Sequence, residues 1–195
     1  TVIMDISVLQ QSIGKYVSLS AQEYEQLIPY FTCEKLHRKQ LLFREGAHIQ
    51  QVAFVLSGCL RSYSVDESGM EHILQFAPEG WWITDMLSFL KGTRSHLYTE
   101  SIVDSEVLLL SRERQLDMFD ALPKMERYFR IVTENALCAT RQRVIDTLSL
   151  TARERYLQFC DTYPGIIHTI PQKYVAAYIG VTPEFLSKMR SSLYR

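Results

Sequence analysis

The chain is short of the features that mark most other classes of protein. It has four cysteines in 195 residues, Cys33, Cys59, Cys138 and Cys160. None are paired at CxxC spacing, and none stands near a histidine at zinc-ligand spacing. That argues against a metal site and against a disulfide framework. It predicts reduced, buried or half-buried thiols in a cytoplasmic protein. No apolar run approaches the ~18–20 residues needed to span a bilayer, so no membrane partner is expected. Thr1 to Gln10 lacks the charged-then-apolar plan of a signal peptide. There is no glycine-rich phosphate loop, HExxH, GxSxG or histidine–cysteine dyad, and an enzyme is not expected. Neither sign of charge dominates. Lys and Arg number 21 against 22 for Asp and Glu, a net of −1, so the whole chain is not a basic nucleic-acid binder.

What is present is ample core and an uneven charge. At 47% hydrophobic and 22% charged, the composition is that of an ordinary globular protein. Residues 151–195 carry Arg153, Arg155, Lys173, Lys188, Arg190 and Arg195 against Glu154, Asp161 and Glu184. That is a net of +3, which leaves −4 for residues 1–150. A basic end on an acidic body fits phosphate contact confined to one end.

The hydrophobic period changes twice along the chain. Residues 1–31 read as helical, with Ser20 and Glu23 forming a capping box and Tyr24, Leu27 and Ile28 the buried side. Residues 32–112 hold short apolar or alternating runs: 41–43, 52–56, 60–65, 72–76, 99–103 and 107–110. Glycines and turn residues separate them, which predicts a compact antiparallel sandwich or barrel. From Leu122 to Leu148 the period returns to 3.6, with Pro123 able to open the helix. A helix of roughly 26 residues, apolar on more than one side, touches its own domain and something else. A second copy of the chain is the simplest partner, across Phe129, Val132, Ala136 and Ala139. Thr151 then caps a further helix through Tyr156, Leu157 and Phe159. A short β segment, Ile166 to Ile170, follows.

The last 26 residues read as two short helices joined by a tight turn. The first spans Gln172 to Tyr178, with Val175, Ala176 and Ile179 on an apolar stripe. Gly180 falls where a helix ends in a left-handed residue. Thr182 can cap the next helix and Pro183 can occupy its first position. That helix packs Phe185, Leu186, Met189 and Leu193, and offers Glu184, Ser187, Lys188, Ser191 and Ser192 on its other face. One face packed and one free is the layout of a DNA-reading helix-turn-helix.

Helix, β-roll, long helix and helix-turn-helix, in that order, resemble the Crp/Fnr family of bacterial transcription regulators. Phe43-Arg-Glu-Gly46, Val52-Ala-Phe-Val-Leu-Ser-Gly58 and Leu60-Arg61 are similar to the family's glycine-punctuated roll. Pro171-Gln172 through Arg190 is similar to its helix-turn-helix. The resemblance implies an α+β fold. Residues 1–121 would form a double-stranded β-helix, a jelly-roll-like sensor roll. Residues 122–149 would form the dimerisation helix, and 150–195 a winged helix-turn-helix. It also implies a cytoplasmic homodimer on double-stranded DNA, with RNA polymerase as a further candidate partner. Glu184 and Lys188 match two base-reading positions of the family, with Ser187 and Arg190 beside them. Thr182 and Lys173 are expected at phosphates.

The roll departs from the cyclic-nucleotide-binding members. Those carry Gly-Glu on a short helical turn and a phosphate-pairing arginine one strand later. Thr84-Asp85 stands in the first place here. Ser95 stands in the second, with Arg94 one place early. The expected effector is therefore not cAMP. Trp81, Trp82, Phe89 and Tyr98 would suit an apolar or aromatic small molecule. A pocket lined by Trp82, Asp85, Met86, Arg94, Ser95, His96, Tyr98 and Thr140 is expected, unless the dimer is competent without any ligand. Only Cys33 precedes residue 59, and the histidines are scattered, so neither an iron–sulfur cluster nor haem is expected. The other reading is a small-molecule-binding module of the cyclic-nucleotide type without a DNA role.

Overall fold

A computed structural model of the chain describes residues 5–193, Leu193 by its backbone alone. The side chain of Leu193 and the charge of Arg195, both invoked above, lie outside the described residues. Two short helices, α1 (Ser7–Gly14) and α2 (Ala21–Leu27), and a 3-10 turn at Ile28–Tyr30 come first. The strands are β1 (Thr32–Leu36), β2 (Leu41–Phe43), β3 (Gln51–Ser57), β4 (Cys59–Val65), β5 (Glu71–Pro78), β6 (Trp82–Ile83), β7 (Tyr98–Ser101) and β8 (Ser105–Ser111). Helix α3 (Met86–Lys91) interrupts them, and α4 (Arg112–Ala121), α5 (Pro123–Ser149), α6 (Ala152–Thr162), α7 (Gln172–Ile179) and α8 (Pro183–Leu193) complete the chain.

Local chemistry explains most element boundaries. Ser20 and Glu23 satisfy each other's backbone N–H at 3.2 and 2.7 Å, and Thr151 and Glu154 do the same for α6. Pro123 opens the 27-residue α5. Gly58 turns β3 into β4 at φ +89°, and a Cβ there would sit 2.7 Å from the Asp104 carbonyl oxygen, so the turn tolerates nothing larger.

The chain forms two compact units. One takes the described residues through Ser62 together with Gln75–Glu134. The other takes Tyr63–Leu74 and the described residues from Asn135 onward. The partition falls inside α5 and assigns the tip of the β4–β5 hairpin to the second unit.

In the first unit two four-stranded sheets form the roll, in the orders β1-β8-β3-β6 and β2-β7-β4-β5. The pairings of β8 with β1 and β3, of β3 with β6 and of β2 with β7 are antiparallel. Side-chain alternation splits the first sheet cleanly. Ala53, Val55, Ile83, Val107 and Leu109 join Leu36, Leu60 and Ala77 in one core, inside the roll. Val52, Phe54, Leu56, Leu108 and Leu110 join Leu9, Ile13, Leu27, Met118, Met125 and Tyr128 in another, against the helices. Both faces of β3 and β8 are thus buried, and each carries an unbroken apolar run, Val52–Leu56 and Val107–Leu110.

In the second unit, Tyr156 and Phe159 are the buried residues of α6, and Phe159 packs with Tyr163 and Tyr178. Phe159 lies 5.2 Å from the Tyr163 ring and 5.1 Å from that of Tyr178. Residues 166–170 do not form the expected strand. They run as turns, with the Thr169 and Ile170 N–H groups donating to the Ile166 carbonyl. Ile166, Ile167 and Ile170 are buried all the same, so their apolar character reports packing rather than β pairing. No strand occurs among the described residues from 150 onward, which are helical or turn.

Candidate functional site

The C-terminal helix pair is built from its turn outward. Tyr174, Val175, Ala176 and Ile179 bury one side of α7. Gly180 ends it at φ +77°, its N–H and that of Val181 both donating to the Ala176 carbonyl. Space around Gly180 is open, so the left-handed backbone alone requires glycine. The Thr182 hydroxyl accepts from the Phe185 N–H at 3.2 Å, and Pro183 takes the first helical position of α8. Leu186, 1% exposed, anchors α8. Thr182, Glu184, Ser187 and Lys188 are all exposed, as is Lys173 at the start of α7, with its Nζ 5.1 Å above the Tyr174 ring. The structure therefore brings five of the six expected DNA-reading residues to the surface.

Two residues of α8 are placed differently from expectation. Arg190 is half-buried, its guanidinium 6.0 Å from the Tyr156 ring, in an open groove with Gln172, Pro183, Leu186, Ser187 and Ser191. Its Nε is buried with no hydrogen-bond partner among the described residues. Phe185, expected in the packed face, is 51% exposed. At about 100° per residue, it turns well away from the Leu186 direction.

Two arginines that the periodicity left without a role cap the far end of α7. Arg155 donates to the Ile179 carbonyl at 2.9 Å and to that of Leu150 at 2.7 Å. Arg143 donates to the Tyr178 carbonyl at 2.8 Å and lies 3.8 Å over the Tyr178 ring. It also donates to the carbonyls of Ile73, at 2.7 Å, and Leu74 on the β4–β5 hairpin. Cations at a helix C-terminus satisfy orphan carbonyls and oppose the helix dipole. An arginine reaching a carbonyl 70 residues away carries no periodic signal.

The roll does not gather its expected pocket residues around one cavity. Trp82 points to the helix side. Its indole donates to the Tyr128 hydroxyl at 2.9 Å, and its ring lies 5.0 Å from Phe54 and 4.8 Å from Phe129. Tyr128 also meets the Ser12 hydroxyl at 2.7 Å, and burial pushes its phenol pKa up. Asp85 and Ser95 bond each other. Asp85 caps α3 by accepting from the Leu87 and Ser88 N–H groups at 3.0 and 3.3 Å, and its second oxygen lies 2.7 Å from the Ser95 hydroxyl. Ser95 is 2% exposed. Met86, Arg94 and His96 are on the surface, and Arg94 donates to the Gly46 carbonyl at 3.1 Å. The Tyr98 hydroxyl donates to Glu45, which raises its pKa. Thr140 belongs to the second unit and bonds the Ala136 carbonyl of its own helix.

The expected dimer stripe faces the chain's own body at several positions. Phe129 and Val132 pack against the helix-side core, and Arg143, on the same stripe, is engaged as described. Ala136 and Ala139 are exposed. Large apolar groups stand open elsewhere on α5, at Leu137 (57%), Val144 (55%), Ile145 (54%) and Leu148 (83%). Among the described residues no cluster of three or more His, Cys, Asp or Glu could hold a metal, and no helix is long and apolar enough to cross a membrane. The cysteines are all free, and Cys138 is exposed where a buried or half-buried thiol was expected.

A roll of two four-stranded sheets, a long helix and a helix-turn-helix thus follow one another along the chain. Residues 33–121 match the cyclic nucleotide-binding domain family. The chain is 21% identical to the anaerobic regulatory protein of Haemophilus influenzae over 193 residues, covering 88% of this chain and 71% of that one. It is 23% identical to the fumarate and nitrate reduction regulatory protein of Vibrio cholerae over 186 residues, covering 88% and 73%. Among solved structures, FixK2 of Bradyrhizobium japonicum superposes with a TM-score of 0.73 at 20% identity, covering 84% of each chain. The chain is thus similar to transcription regulators of the Crp/Fnr family, and the relatives named here are regulatory proteins.

Proposed function

We propose that the chain acts in the cytoplasm as a homodimer that binds double-stranded DNA through α8, without cAMP as its effector. The observation that carries the DNA role is the exposure of Glu184, Ser187 and Lys188 on a helix whose opposite side is held by Leu186. Glutamate can accept from cytosine N4, and lysine can donate to guanine O6 and N7. Thr182 and Lys173 would contact phosphates, which fix register without reading sequence. Arg190 leans on Tyr156 beside a groove at the start of α7, so its part is to support α8 or reach a phosphate, not to read a base. A roll-only module would leave this exposed polar face without a use.

The Asp85–Ser95 bond supports the effector reading. Asp85 stands where those members have their glutamate, and the buried serine bonded to it stands in place of the phosphate-pairing arginine. A second anion there would meet like charge without compensation. Dimerisation would use α5 through Leu137, Arg141, Val144 and Leu148, spaced i, i+4, i+7, i+11 as in a coiled-coil seam. RNA polymerase is the further partner this role calls for.

Anisotropy titrations of the full chain on duplexes selected from a randomised pool test the reading. Lys188→Ala and Glu184→Ala should weaken binding and relax sequence preference. Lys173→Ala should weaken all sequences alike and flatten the salt dependence. Unchanged binding in the first two variants refutes the assignment of α8. Micromolar binding of cAMP by calorimetry refutes the effector reading.

A further inference from the structure

Past Pro183, the exposed side of α8 is hydrophilic except at one residue. Phe185, 51% exposed, stands at the edge of an arc that also carries Lys188 and Ser192, with Glu184, Ser191 and Ser187 further round the helix. By helical geometry Phe185 lies roughly 100° from Leu186 but only about 60° from Lys188. It stands in the first turn, where its N–H closes the Thr182 cap, at the end of a recognition helix that enters the groove. Folding does not call for a phenyl ring here. Phenylalanine is a poorer helix former than lysine, glutamine or alanine, and an exposed ring gains little by burial.

We propose that Phe185 reads a thymine, packing its ring on the C5-methyl group in the major groove next to the base edge met by Lys188. This rests on the DNA-reading role of α8 given above. The major-groove edges of the four base pairs present donors and acceptors throughout, and the thymine methyl is their one apolar group. A ring set beside a lysine and a glutamate on the reading face has no other apolar partner in that groove. Cytosine at the same place carries only a C5 hydrogen where thymine has its methyl, so the ring loses that apolar contact. Glu184 and Lys188 would read by hydrogen bond, and Phe185 by shape and hydrophobicity.

Replacing thymine by deoxyuridine removes only the methyl group. The full chain is first used to select duplexes from a randomised pool. Each thymine of the best duplex is then replaced in turn, symmetrically in both half-sites, and affinity is read by anisotropy. One position should cost the wild type about fourfold per half-site, the worth of one buried methyl-sized group. Phe185→Ala should bind the thymine duplex more weakly and lose that dependence. Phe185→Leu, smaller but still apolar, should keep part of it. Because Phe185 is exposed, these variants should retain the wild-type circular dichroism. Wild-type affinity indifferent to uracil at every position overturns the inference, as does methyl dependence that survives in Phe185→Ala. A pool that yields no duplex overturns the DNA-reading role and this inference together, whereas a selected duplex without methyl dependence overturns this inference alone.

Discussion

Removing the Arg143 side chain should loosen the β4–β5 hairpin and the end of α7 together. The guanidinium spans three carbonyls, of Ile73, Leu74 and Tyr178, and stacks on the Tyr178 ring. Hydrogen bonds from a charged donor contribute about 1.5–3 kcal/mol each when well shielded. Arg143 is only half-buried, and in Arg143→Ala water can take over the exposed carbonyls. The bonds also form as a group, so their values do not add. A total of about 2–3 kcal/mol is a fair expectation. At about 1.4 kcal/mol per decade, that is roughly a thirty- to hundredfold rise in local opening. Hydrogen exchange on the full chain reads this directly. Amides of residues 63–74 and 178–181 should exchange faster in Arg143→Ala, with those of β3 and β8 unchanged. Arg143→Lys keeps the charge but not the planar fork that reaches several acceptors, and should recover less than half of the protection. Unchanged exchange of the hairpin in Arg143→Ala would show that the three bonds hold nothing, and the reasoning would fail.

Gly180→Ala should cost about 1–2 kcal/mol in a thermal melt, because the open space around Gly180 leaves only the left-handed backbone as a penalty; no loss would refute the assignment of the turn. Leu186→Ala, at a site 1% exposed, should cost about 2–5 kcal/mol and abolish DNA binding; retained binding would mean that α8 is not anchored there. Val144→Asp should convert a sedimenting dimer to monomer at micromolar concentration, while Ala139→Asp should not; the reverse pattern would return the seam to the Phe129 stripe. At pH 8 an alkylating reagent should modify exposed Cys138 first. Burial raises the Cys59 thiol to about 12, and burial with a nearby Glu106 carboxylate raises Cys33 to about 11. Both stay protonated well above pH 8 and should react slowly. Mass mapping that finds Cys59 modified before Cys138 would contradict this.

The amino-acid sequence by itself determined whatever depends on near neighbours. The capping box at Ser20, the cap at Thr151, the opening of α5 at Pro123 and the Gly180 turn all rest on interactions within a few residues, and all stand where expected, whereas β1 and β6 lie outside the expected runs. Tertiary structure decided which side of an element meets its own chain. Helix α5 is apolar in more than one direction. Only packing against Trp82 turns Phe129 inward, and only the hairpin engages Arg143, while Leu137, Val144 and Leu148 stay outward. The run 166–170 is apolar enough for a strand, but no partner strand reaches it among the described residues, and it folds as buried turns. Trp82 and Ile83 are neighbours in sequence, yet pleating sends them to opposite cores, so an aromatic expected in a pocket became part of the helix layer. Asp85 and Ser95 lie ten residues apart, and their bond exists only because the roll folds one loop onto the start of α3. Periodicity records that a residue is apolar or charged; the partner it finds is a non-local fact, set by the fold that closes around it.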